Sequence, residues 1–163
     1  MPDRQEVLRL VSELQQDMDV LAELEEQNTR ALGRIEAGAT DALDYAALGY
    51  TIHNLYSLLE SYALRVAKTF ENGIDEEEWH RELVKRMTLE IPTVRPAVWR
   101  RELARHIDEL RRFRHAFRHV YESRLDPDKL MLAQRHVAPA AEGVRASHRT
   151  LVEKLMLLAE QIT

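Results

Sequence analysis

Apolar residues recur three and four positions apart along almost the whole chain, and nowhere do they alternate with period two over any length. That spacing lines one face of a helix, whereas a half-buried strand needs period two, so the chain is built from helices packed on one another. Caps and breakers divide the pattern into five. The first helix opens at Asp3, with Glu6 three residues on as a capping box, and carries Val7, Leu10, Val11, Leu14, Met18, Leu21, Leu24, Leu32 and Ile35 down to Gly38. Thr40 caps a second, whose apolar positions are Leu43, Ala47, Tyr50, Leu58, Leu59, Tyr62 and Val66, with Gly73 just past its end. Asp75 and Glu78 form another capping box for a short helix through Trp79, Leu83 and Met87.

Ile91-Pro92-Thr93-Val94-Arg95-Pro96 breaks the pattern, because each proline removes a donor and pushes its predecessor out of the α region. Pro96 suits the first position of a fourth helix, expected to run to about Glu122. Asp126 caps the last helix and Pro127 takes its first position; Leu130, Leu132, Val137, Val144, Leu151, Leu155 and Leu158 form its stripe. Pro139 is expected to kink or divide that helix. With no tandem repeat and no low-complexity segment, the expectation is an all-α, single-domain, five-helix bundle over residues 1–163.

A chain of 163 residues buries enough surface to fold without staples. It has no cysteine, which removes disulfides, thiol nucleophiles and cysteine-ligated zinc and suits a reducing cytoplasm. Met1-Pro2-Asp3-Arg4-Gln5-Glu6 lacks the apolar core of a signal peptide, and no apolar run approaches the ~18 to 20 residues that span a bilayer. A soluble, cytoplasmic protein with no membrane partner is expected.

The net charge of −5 hides an asymmetry. Met1 to Asp44 holds eleven acidic and four basic residues; Arg95 to Arg124 holds nine arginines, no lysine and four acids, with His106, His115 and His119 added. Basic charge gathered in one element is the footprint of a phosphate or nucleic-acid contact. Mutual neutralisation of the acidic and the basic helix would explain it equally well.

Several chemistries fall away. There is no glycine-rich phosphate loop, since Ala39 and not lysine follows Gly38. Glu77-x-x-His80 is half of a di-iron bundle signature whose second half is missing. His115 and His119 share a helix face, but arginines surround them and disfavour a cation there, so no metal is expected. Tyr50, Tyr56, Tyr62, Trp79 and Trp99 read as core or interface aromatics, His53, Asn54 and Glu60 as either cleft residues or interior polar pairs, and His136 and His148 have no visible partner.

What remains is Arg111-Arg112-Phe113-Arg114-His115-Ala116-Phe117-Arg118-His119-Val120-Tyr121. On a helix, Arg114, Arg118 and Tyr121 share a face, and His119 lies toward the flank it shares with His115. The set suits phosphodiester cleavage in RNA. There the 2′-hydroxyl is the nucleophile, imidazole moves protons near neutral pH, and guanidinium grips the phosphate oxygens as charge builds. A solvated basic face with ordinary surface histidines is the bland reading of the same residue types.

Arg114-x4-His119-x-Tyr121 resembles the R-x4-6-H-x-Y motif of HEPN-domain ribonucleases, in particular the HepT toxins of toxin–antitoxin pairs. His115 occupies the position after the arginine where that superfamily carries Asn, Asp or His. Tyr50-Thr-Ile-His-Asn-Leu-Tyr56, Leu59-Glu60, Trp79-His80-Arg-Glu-Leu83 and Met87 look like the second and third helices of HepT-like proteins, so the resemblance covers roughly residues 45–130. Arg112 to His119 also fits the longer spacing, but Phe113 follows Arg112. The resemblance implies a metal-independent endoribonuclease toxin without a cofactor, acting on tRNA or mRNA as a homodimer. Arg114 and His119 would be the catalytic pair, with His115 and Arg118 in support. Tyr121 would be the tyrosine onto which a minimal nucleotidyltransferase antitoxin transfers AMP, blocking the site by bulk and negative charge. The alternatives are a catalytically silent HEPN module that binds RNA, nucleotide or a nucleotidyltransferase, and a structural partner that uses the leucine-rich first helix as a coiled-coil surface.

Overall fold

The computed structural model describes residues 1–72, 75–120 and 124–162, without the side chains of residues 76–78 and 81. Gly73, Tyr121, Glu122 and the Glu78 half of the second capping box, each singled out above, lie outside what is described. The described residues form α1 (Arg4–Glu36), α2 (Ala42–Phe70), α3 (Glu76–Met87), α4 (Ala104–Phe117), α5 (Pro127–Gln134) and α6 (Val137–Gln161). They include no strand, only one isolated bridge between Ile91 and Arg95.

α1 begins as the sequence requires. Asp3 accepts the Glu6 N–H at 2.8 Å, and Glu6 accepts the Asp3 N–H at 2.9 Å. It ends in a Schellman arrangement: Gly38 sits at φ +100, the Ala39 N–H donates to the Arg34 carbonyl and the Gly38 N–H to that of Ile35. The cap of α2 is Asp41, one residue beyond Thr40, and its carboxylate accepts from the Leu43 and Asp44 N–H groups. A carboxylate at that position also complements the positive helix end.

α2 is the central element. α1, α3, α4 and α5 all pack on it, and its buried residues run from Leu48 to Phe70. Leu43 and Tyr50, expected on its apolar stripe, stand on the surface instead, whereas Tyr56, Tyr62, Trp79 and Trp99 are fully buried. The apolar stripe of α1 (Val7, Leu10, Leu14, Met18, Leu21) is consumed inside the chain against α2 and α6, which removes it as a coiled-coil surface.

The fourth helix does not start at Pro96. A single 3-10 turn, Arg101–Leu103, precedes α4, and residues 97–100 run irregularly to bury Val98 and Trp99, whose N–H groups cap the Met87 carbonyl at the end of α3. Arg95 explains the detour. Its fully buried side chain pairs with Glu71 past the end of α2 and donates to the carbonyls of Arg86, Leu89 and Pro96. One of the nine arginines of the basic segment is therefore a structural strut. The last helical stretch is divided at Arg135 and His136, and Pro139 takes the third position of α6. A proline within the first turn costs no hydrogen bond, because those N–H groups have no helical partner.

Candidate active-site cleft at the end of α4

α4 carries the basic run with a buried stripe, Ile107, Leu110 and Phe113, that seats it on the bundle. The flank beside that stripe carries the arginines of the cleft. Arg111, Arg114, His115 and Arg118 fall at spacings of three, four and seven, so they share one side of the helix. With Tyr56 and Glu60 of α2 and His80 of α3, they line a cleft of about 430 Å³.

Glu60 is the hinge of the constellation. Its Oε2 lies 3.4 Å from Nη1 of Arg114 and 3.3 Å from Nδ1 of His80. The Arg114 guanidinium stands 5.4 Å above the Tyr56 ring, a cation–π contact, and its Nε is buried without a hydrogen-bond partner among the described residues. Burial, and then the negative charge of Glu60, push the Tyr56 hydroxyl above its ordinary range, so it stays a neutral phenol. Behind α4, His53 leans on Phe117 with ring centroids 5.8 Å apart. Burial, followed by the charges of Arg114 and Arg118, holds it below the usual histidine range. Among the described lining residues three arginines face one acid, so their field favours an anion.

α4 ends at Phe117, earlier than expected, and residues 118–120 form a turn. The helical projection therefore stops short of His119. Glycine and proline are absent there; the three turn residues close through bonds from Arg118, His119 and Val120 back to Arg114, Ala116 and Phe117. His119 is exposed at this end, outside the cleft lining, but its ring packs edge-on against His115 at 5.3 Å, and His115 is in the lining. Arg112 points elsewhere, pairing with Asp108 at 3.1 Å and Glu109 at 3.6 Å along its own helix. Arg111 both lines the cleft and pairs with Asp108.

A model of the HepT-like protein family matches residues 47–155, two thirds of the chain. The chain belongs to that family. The match encloses α4 and every residue that lines the cleft. No curated protein and no solved structure matches the chain.

Within this HepT-like framework the acidic α1 and basic α4 do not serve as each other's counterions. Asp17 and Glu13 pair with Arg65 of α2, and Glu25 pairs with Arg145 of α6. The α4 arginines pair with Asp108, Glu109 and Glu60. Two histidines left without a partner by sequence have one: His136 meets His106 at 2.9 Å, and His148 lies between Tyr62 and Gln15. His80 and Tyr56 are the cleft residues that sequence reasoning missed. His80 had been read as half of a di-iron signature and as part of the stretch that resembles the third HepT-like helix, without a role in the cleft; among the described residues no group of three or more His, Asp or Glu is placed to hold a metal. The signal for Tyr56 was its four-residue spacing from Glu60, which sets both on one face of α2. No helix among the described residues is long and apolar enough to cross a membrane.

Proposed function

We propose that this HepT-like chain is the toxin of a toxin–antitoxin pair, a metal-independent endoribonuclease of the HEPN superfamily that cuts tRNA or mRNA. The observation that carries the reading is the cleft at the end of α4, where Arg111, Arg114, His115 and Arg118 meet His80, with Glu60 the one acid among the described residues of its lining. Arg114 holds the scissile phosphate, since a planar guanidinium can bind two non-bridging oxygens and stabilise the charge that builds on them. His119 moves a proton at the reacting oxygens, and His115, whose ring it touches, supports it. Arg118 adds charge to the same wall.

His119 stands at the rim rather than in the wall of the cleft, which fits a site completed by a second copy of the chain. In that homodimer, two α4 ends face each other over the RNA, and residues 1–163 make one such domain. AMP placed on Tyr121, two residues after His119 in sequence, by a minimal nucleotidyltransferase antitoxin would add a bulky anion and exclude RNA by charge and size.

A second reading is a silent HEPN module that binds RNA, nucleotide or the nucleotidyltransferase without cutting. It is favoured by the engagement of Arg114 with Glu60 inside the chain. Fragment chemistry separates the two. Total RNA incubated with the protein in excess EDTA is expected to yield discrete fragments with 2′,3′-cyclic phosphate and 5′-hydroxyl ends. Ends bearing a 5′-phosphate, or cleavage only after a divalent ion is added, would contradict the proposed chemistry.

A further inference from the structure

Cleavage by a 2′-hydroxyl needs two proton transfers on opposite sides of phosphorus, because attacking and leaving oxygens lie in line. One imidazole, that of His119, cannot stand at both. The cleft has an imidazole from another element: His80 of α3, whose side chain is 50% exposed while its partner Glu60 is 14% exposed. Such a covered carboxylate, itself paired with Arg114, is a fixed anchor and not a passing surface contact.

We propose that His80, oriented by Glu60, is the general base that takes the 2′-hydroxyl proton. This rests on the ribonuclease reading above. A carboxylate at Nδ1 keeps the ring hydrogen on that nitrogen and leaves the lone pair on Nε2, the tautomer a base requires. Because Oε2 of Glu60 also contacts Arg114, the group that holds the phosphate and the group that deprotonates the neighbouring hydroxyl share one reference point. In the step, the O2′ proton passes to Nε2 of His80 as the O2′–P bond forms. The P–O5′ bond breaks, and the O5′ receives a proton from His119. The products are a 2′,3′-cyclic phosphate and a 5′-hydroxyl end, and the two histidines return to their starting states by exchange with water. Glu60 touches no reacting atom and is a positioning residue.

The test uses an oligoribonucleotide spanning a mapped cleavage position, in its ordinary form and with sulfur in place of the leaving 5′-oxygen. A thiolate departs without a proton, so only the base remains essential. His80→Gln is expected to slow single-turnover cleavage by about 10²- to 10⁴-fold on both substrates. The loss in His119→Ala should be recovered on the sulfur substrate. Glu60→Ala should lose activity that Glu60→Gln restores, since an amide oxygen still accepts from Nδ1–H. Wild-type rates in His80→Gln, or recovery of that variant by the sulfur substrate, would overturn the assignment while leaving the ribonuclease reading intact. A wild-type protein that cuts neither substrate would overturn both.

Discussion

His148 shows how a residue with no visible partner in sequence becomes a constraint on the fold. Its Nδ1 lies 2.9 Å from the Tyr62 hydroxyl, and its Nε2 lies 3.3 Å from Oε1 of Gln15. An amide oxygen only accepts, so Nε2 carries the hydrogen, and Nδ1 accepts from a Tyr62 phenol that burial keeps protonated. Burial holds His148 below the usual histidine range, and also His53 and His106, where burial is again the first cause. A histidine with a lowered folded pKa stabilises the fold above its unfolded value, and the contribution is lost as pH falls through the folded value. The melting temperature should therefore drop between about pH 7 and pH 5, and less steeply in His148→Asn. A flat profile in the wild type would contradict neutral burial. At this scale the sequence was least informative. Arg114 could be singled out by its neighbours His115 and His119, but its tie to Glu60 spans 54 residues and follows no local pattern. His80 was hidden for the same reason, because only the packing of α3 against α2 and α4 gives it a cleft to face.

Between elements, the contact that sets the cleft is that of α2 on α4, and Gly49 controls its distance. A Cβ at Gly49 would come within 2.7 Å of the Phe117 ring, at the last residue of α4. Since an aromatic ring cannot flex away as an aliphatic end can, Gly49→Ala should cost about 1–3 kcal/mol, measured by urea denaturation. It should also lower any cleavage activity, because Arg118 and His119 follow directly on Phe117. Unchanged stability would show that the ring has room to turn. Helix starts were the readable part of this scale. Asp3, Asp75 and Asp126 sit directly before α1, α3 and α5, because a cap is a local bond between neighbours in sequence. The segment from Thr88 to Arg100 was not readable. Proline at position 96 permits a helix start, but the burial of Arg95 against Glu71 and of Trp99 in the core decides against it, and both are long-range terms.

Over the whole molecule, the charge asymmetry persists after folding. Three acids of α1, Glu13, Asp17 and Glu25, pair with Arg65 and Arg145, outside the α4 motif, and among the described residues the wall of the cleft keeps a surplus of guanidinium groups. That surplus, within a HepT-like framework, is what a polyanion would meet. The helical class followed from periodicity, because one apolar stripe per helix has to be buried against another. The identity of the site needed family resemblance and cleft together. The most direct test is single-turnover cleavage of RNA in excess EDTA by the wild type, Arg114→Ala and His119→Ala. The account predicts discrete fragments from the wild type and a loss of about 10²- to 10⁴-fold with His119→Ala, with Arg114→Ala also impaired. Equal cleavage by all three, or none by a wild type whose Tyr121 is shown by mass to be unmodified, would contradict it.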